Sequence, residues 1–303
     1  VDNSNHPEIC SYENSPWRTE FWRGRDYEDR AERIAIAKML PRNGKRICEI
    51  GAGFGRLADF YLGYDRIILI DYAVSMLHEA RERILNDSRL ASHVSRFTFA
   101  AADLYNLPLA DNAIDTAVTV RVLHHVADIP RAFAQIARVV RPGGTYLTEF
   151  ANKRHIKARL RYALTHRGDD PNSLAPYEFV KLNFDFHPRY IVDLLQQNNF
   201  AIQMKRAVSI FRIAALKRIV PASLLASIDG ILQSPISNLD FSPSIFLRTQ
   251  ATKPGSPQIN SALWRCPMCA SIDLIETCNA LRCQNCSRVY PIIDQIIDFK
   301  SQL

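Results

Sequence analysis

Seven residues, Glu49-Ile50-Gly51-Ala52-Gly53-Phe54-Gly55, hold an acid and three alternating glycines between the β-rich run Arg46-Ile47-Cys48 and a helix-forming stretch. Glycine at such a turn lets a ligand come up against the main chain, and the helix that follows aims amide N–H groups at it. The third glycine comes one position earlier than in the dinucleotide fingerprint G-x-G-x-x-G. Such turns also serve purely to pack helix on strand, so the residues downstream decide. Asp71 stands twenty residues after Gly51, at the end of the apolar run 66–70. A carboxylate there can accept both hydroxyls of a ribose, and it can also cap the helix predicted over 75–85. Asp103 follows a third such run, 96–100, and the pair His124-His125 follows a fourth, 116–120.

A second constellation lies near the other end. Cys266-Pro267-Met268-Cys269 and Cys283-Gln284-Asn285-Cys286 are two C-x-x-C knuckles separated by thirteen residues. Four thiolates at this spacing can surround one tetrahedral zinc ion, which predicts a structural Zn2+ held by Cys266, Cys269, Cys283 and Cys286. A redox pair is the competing reading. Cys278 is the spare thiol of the segment. About 40 residues cannot bury enough apolar surface to fold unaided, so metal binding would supply much of the folding energy.

The elements that must position these residues alternate strand and helix: a helix over 27–40, strands at 46–50, 66–70, 96–100, 116–120 and 145–150, and helices over 75–85 and 129–140. That alternation argues for a parallel α/β sheet, whose ligands sit beyond the strand carboxyl ends. The E-x-G-x-G-x-G motif, Asp71, Asp103, Leu107-Pro108 with Asp111 and Asp115, His124-His125 and Arg138-Val139-Val140-Arg141-Pro142-Gly143-Gly144 occur in order. Together they resemble the class I S-adenosylmethionine (SAM)-dependent methyltransferases, in particular the subfamily of the ubiquinone/menaquinone C-methyltransferases. The resemblance is dense over 46–150 and loose over the first 253 residues. It implies a Rossmann-like seven-stranded sheet with helices on both faces, the last strand antiparallel. It also implies SAM as cofactor, held by Glu49, Gly51, Ala52, Gly53, Gly55, Asp71, Tyr72, Asp103, Leu104 and Arg121. In that arrangement Asp103 accepts from the adenine amine and Leu104 lies against the ring.

Methyl transfer from a sulfonium is an in-line displacement that depends on alignment and exclusion of water. A base is needed only where the acceptor loses a proton, and a neutral imidazole can serve. His124 is expected near the site and His125 to be structural, although a capping or core role is open for each. Arg121 could steer an anionic acceptor. The subfamily acts on quinones, sterols, lipids, natural products and sometimes RNA. The catalytic region has only Cys10 and Cys48, which argues against a thiol-based arsenite methyltransferase. The expected acceptor is a small or lipid-like molecule. The rivals are RNA or a translation protein as acceptor, and a non-catalytic SAM-binding scaffold.

Leu263-Trp264-Arg265, the two knuckles and the tail from Val289 to Phe299 resemble the small zinc-ribbon proteins that bind and activate tRNA, rRNA and translation-factor methyltransferases. That family reads Asp-Gly-Ile-Pro near its end where this chain has Asp294-Gln295-Ile296-Ile297, so the final turn is expected to differ. The ribbon could activate, or only stabilise. The run Lys253-Pro254-Gly255-Ser256-Pro257 breaks structure. The division expected is therefore a methyltransferase domain over 1–253, a linker over 254–262 and a β-rich zinc ribbon over 263–303. Within the first, 1–40 forms an N-terminal lid and 153–240 holds the acceptor-specificity segments.

The formal charge of +7 is concentrated. Lys153, Arg154, Lys157, Arg159, Arg161 and Arg167 fall in fifteen residues without an acid, and Lys205, Arg206, Arg212, Lys217 and Arg218 form a second basic stretch. A phosphate-bearing or RNA partner would use that charge. A membrane surface would use it together with an apolar face over 210–232. A solvated helix face is the third reading. Tyr12, Trp17, Phe21, Trp22 and Tyr27 crowd the N-terminal segment, where an aromatic face near a sulfonium would favour it and Arg25 could meet the methionyl carboxylate. Hydrophobic content of 47% and charged content of 23% suit a globular protein. No stretch approaches the roughly 18 apolar residues of a membrane span. The cysteine pattern suits metal ligands in a reducing cytoplasm. The chain begins at Val1, not an initiator, so a processed or trimmed start is expected.

Overall fold

The computed structural model describes residues 6–16 and 20–301; Val1 and Trp17 lie outside the described residues. Helix α1 (Asp26–Met39) precedes β1 (Gly44–Ile50), β2 (Tyr64–Asp71), α2 (Val74–Asn86), β3 (Phe97–Ala101), β4 (Ile114–Thr119), α3 (Ile129–Val139) and β5 (Val140–Ala151). Then come α4 (Ile156–Thr165), the hairpin β6 (Tyr177–Val180) and β7 (Asn183–Asp185), α5 (Pro188–Gln197), β8 (Phe200–Val208), α6 (Ala214–Ile219), α7 (Ala222–Leu232) and β9 (Ser244–Ala251). The cysteine segment adds β10 (Leu274–Glu276), β11 (Ala280–Cys283), β12 (Val289–Ile293) and β13 (Ile296–Asp298).

The seven expected strands lie in the order β3-β2-β1-β4-β5-β9-β8, with β9 antiparallel to both neighbours. β1 pairs in parallel with β2 on one side and β4 on the other, so the strand order reverses there and a crevice opens above their carboxyl ends. Ile47, Cys48, Ile67, Ile68, Leu69, Ala117 and Val118 are buried, as the continuous apolar runs require when helices cover both faces. Helix α3 starts where Asp128 accepts from Arg131 N and Pro130 falls in its first turn; Ile129, Ala132, Phe133, Ile136 and Val139 form its buried stripe.

The structure adds to the sequence reading in three places. The cysteine segment is fixed to the sheet. Arg46 donates to the carbonyls of Asn260 (2.7 Å) and Ser261 (2.9 Å), Ala110 N donates to Leu263 O (2.9 Å), and Trp264 is buried beside Phe299. Strand β13 then pairs in parallel with β3, which extends the sheet to eleven strands. The apolar stretch 210–232 is not one face: the chain breaks at Val220-Pro221, Leu225 and Ala226 pack inward, and Gly230 lies against Ile34 of α1. Finally, α1 buries Tyr27, Ala31, Ala35, Ile36 and Met39 in the core, and within 1–40 the residues that line the pocket are Ile9, Cys10, Tyr12 and Trp22. Asp294 (φ 49°) and Gln295 (φ 66°) form the β12–β13 turn, both in the left-handed region that favours glycine.

Candidate active site

The three glycines differ in what they make possible. The N–H groups of Gly51 and Ala52 both donate to Ile70 O (2.8 and 2.9 Å), which folds the turn tightly over the end of β2. A Cβ on Gly51 would stand 2.3 Å from Val122 Cγ2, and one on Gly55 would stand 3.1 Å from Ala80 Cβ of α2. These two glycines are packing positions. At Gly53 a Cβ would meet nothing within 4 Å and would project into open space, and φ is +52°. That space is a pocket of about 1060 Å³, counting its open mouth, between the Gly51–Gly55 turn, Asp71, Asp103, Arg121 and His125.

Three carboxylates reach this pocket from the ends of three adjacent strands. Asp71 accepts from Gly53 N (2.7 Å) and Ala73 N (2.9 Å); burial pushes its carboxyl up while those amides pull it back. Asp103 accepts from Tyr105 N (2.8 Å) and meets His6 Nε2 (2.7 Å), with Leu104 and Tyr72 on the same wall. Glu49 is 3% exposed and its Oε2 has no hydrogen-bond partner among the described residues. Burial pushes that carboxyl up to about 8, against the pull of Tyr61 and Arg56. A buried acid with one oxygen unbonded, beside an open glycine, can receive a cationic group.

The two histidines exchange the places expected of them. His125 lines the pocket; its Nδ1 lies 2.9 Å from Leu182 O and its Nε2 lies 2.8 Å from the Tyr12 hydroxyl. The Leu182 carbonyl can only accept, so Nδ1 carries the proton and Nε2 accepts from Tyr12. Burial lowers the His125 pKa, with the Leu182 contact opposing. His124 packs against His125 at 4.0 Å between ring centroids, off the pocket wall, and burial together with His125 and Arg121 holds it well below the usual range. Neighbours on a 3-10 turn point in different directions. Arg121 lines the pocket, but its guanidinium is paired with Glu32 of α1 and faces the Phe21 and Trp22 rings, and its main-chain N–H donates to the Glu149 carboxylate (2.9 Å). Burial opposes the Glu32 charge, but Arg121 and Arg56 outweigh it and hold the pKa low. Arg25 stacks on Phe21 (3.8 Å) and is not on the pocket wall.

Sequence reading missed Glu32, Glu149 and Arg56. It also missed Glu13, whose carboxylate accepts from Val74 N and Ser75 N (2.8 and 2.9 Å) and pins the N-terminal segment to α2. An acid outside the helix can cap its exposed amides, but nothing local in the sequence couples residue 13 to residue 74.

In the cysteine segment, Cys266 Sγ lies 3.6 Å from Cys286 Sγ and Cys269 Sγ lies 3.5 Å from Cys283 Sγ; all four sulfurs fall within 4.8 Å of one another. The Tyr290 hydroxyl lies 3.0 Å from Cys266 Sγ, and Cys278 is exposed outside the group. The cluster is a candidate metal site.

A glycine turn, three strand-end carboxylates and a sheet ordered 3-2-1-4-5-7-6 define the fold of the class I methyltransferases, and residues 48–148 match the family described as Methyltransferase domain. Among individual proteins, the chain is similar to the ubiquinone/menaquinone biosynthesis C-methyltransferase UbiE of Paracoccus denitrificans, 30% identical over 109 residues, 35% of this chain and 42% of that protein. Its fold is that of an S-adenosylmethionine-dependent methyltransferase from Mesorhizobium loti (TM-score 0.53, 20% identity, 73% of this chain and 97% of that one). It also matches one chain of the Haloferax volcanii complex that contains the Trm112 methyltransferase activator (TM-score 0.52, 15% identity, 78% and 96%). The chain spans only 31–46% of the length of the curated relatives it matches.

Proposed function

We propose that this chain transfers a methyl group from SAM to a small-molecule or lipid-like acceptor. The observation that carries the reading is the open position at Gly53 ringed by the Asp71, Asp103 and Glu49 carboxyls, an acceptor set suited to ribose hydroxyls, an adenine amine and a methionyl ammonium. Bound SAM would supply a methyl already activated on its sulfonium. The chain's part is to hold the acceptor in line and exclude water. With SAM bound, the acceptor's electron pair would form the new bond to carbon as the C–S bond breaks, the pair leaving on sulfur. Where the acceptor loses a proton, His125 Nε2 takes it, in exchange with the Tyr12 hydroxyl; this role passes to His125 from His124. Arg121, already matched to Glu32, holds the pocket wall in shape, and any attraction it exerts on an anionic acceptor acts through that pair.

We infer also that the four cysteines hold one Zn2+. Tetrahedral Zn–S bonds of about 2.3 Å place sulfurs about 3.8 Å apart, close to the spacings here. A second reading, the ribbon as built-in activator, is favoured by one observation. β13 lies directly on β3, Phe299 N donates to Ala101 O (2.9 Å), and Lys300 Nζ stands 4.4 Å over the Tyr72 ring beside the pocket.

The test is calorimetric titration of SAM and S-adenosylhomocysteine into zinc-loaded protein, repeated with Asp71→Ala and after chelation. Micromolar binding is expected, abolished by the substitution and weakened by chelation. Absence of binding in a folded sample sinks the enzyme reading; unchanged affinity after metal removal sinks the activator reading.

A further inference from the structure

Helix α4 buries a single side chain, Ala158, in ten residues. Ile156, Leu160 and Leu164 stand 48, 56 and 80% exposed. At about 100° per residue these three form one stripe, with Lys157 and Arg161 along one flank, Arg159 along the other, and Ala158 and Tyr162 opposite. A helix this short is marginal in water unless an apolar face is packed, and the protein packs only one alanine of it.

The surface continues beyond the helix. Lys157 Nζ donates to Arg212 O (2.6 Å), which sets Ile213 (46% exposed) beside the stripe, and Arg159 reaches Leu239 O (3.3 Å), beside the exposed Leu239 side chain. Lys157, Arg159 and Arg161 have no carboxylate within ion-pair distance among the described residues; Lys157 rests on a carbonyl, while Arg159 lies over the Phe241 ring (5.0 Å) and feels Asp240 only at longer range. Between 152 and 243 thirteen Lys and Arg face seven Asp and Glu.

We propose that α4, with the Ile213 and Leu239 edges, docks the protein on an anionic lipid bilayer. The Ile/Leu stripe would enter the acyl boundary while the flanking cations remain among the headgroups. Nucleic acid would use the cations but leave the stripe without a role. A second copy of the chain would bury the stripe but bring like charges together. The docking does not depend on methyl transfer.

The test is co-flotation of the full, zinc-loaded chain with phosphatidylcholine vesicles with and without phosphatidylglycerol. Flotation with the anionic vesicles alone is expected, weakened by raised salt. Lys157→Ala with Arg161→Ala should lower partitioning roughly thirtyfold, and Leu160→Ser with Leu164→Ser at least about tenfold. All four side chains are exposed, and thermal unfolding checks that each variant folds as the parent does. No flotation by the folded parent overturns the proposal, as does equal flotation with neutral vesicles. So does retention of RNA that the leucine variant leaves intact, or a concentration-dependent dimer lost in that variant.

Discussion

The stretch from β1 to the end of β5 and the stretch between β5 and β9 are of similar length and opposite construction. The first has twelve Lys and Arg against twelve Asp and Glu and one large exposed hydrophobic side chain, Leu85; the second carries the charge excess and twelve such side chains. The first is finished by its own packing. Its strands are covered on both faces, and its glycine turn, Asp71, Asp103 and Arg121 are held by partners within the protein. The second presents apolar and cationic groups that the protein leaves uncovered, which in a folded chain marks a surface meant for something else. The pocket sits where the packing is complete, and the uncovered apolar and cationic groups lie where it is not.

The largest effect that would break this contrast is expected in the first stretch. Phe133 is fully buried against Tyr146, so Phe133→Ala should cost about 3–5 kcal/mol in chemical denaturation. A loss below about 1 kcal/mol would mean the half is not packed as described.

A middling effect concerns Glu49. Its folded pKa is raised from 4.5 to about 8, so between those values the folded state keeps a proton that the unfolded chain has released. Stability of the ligand-free protein should therefore fall as pH rises through that window, by up to about 1.4 kcal/mol per pH unit from this group. Glu49→Gln should flatten the slope measured by thermal melts across pH and weaken SAM binding. An unchanged slope would place the Glu49 carboxyl in an ordinary environment.

The smallest effect belongs to the second stretch. Leu164→Ala, at 80% exposure, should leave unfolding free energy within about 0.5 kcal/mol. A larger loss would show that the stripe is already covered in solution and would erase the difference between the two halves.

What was legible in the sequence was local. The glycine spacing, the strand-end acids and the two cysteine knuckles can be read because each motif lies within a few residues or one strand–helix unit. The basic runs were legible as composition, but their use was not. Whether Lys157 meets a carboxylate or a carbonyl depends on Arg212, 55 residues away.

The sequence by itself determined a largely parallel α/β sheet, a glycine turn that can bring main chain to a ligand, and a four-thiol cluster. Hydrophobic period, glycine and cysteine spacing act within one element and need no partner to be recognised. Only the tertiary structure decided which histidine faces the pocket, that Arg121 is answered by Glu32 from 89 residues away, and that β13 closes on β3. It also split the 210–232 apolar stretch between core and surface. Each of these is a contact between distant segments, set by how whole layers pack and bury charge, and no local spacing records it.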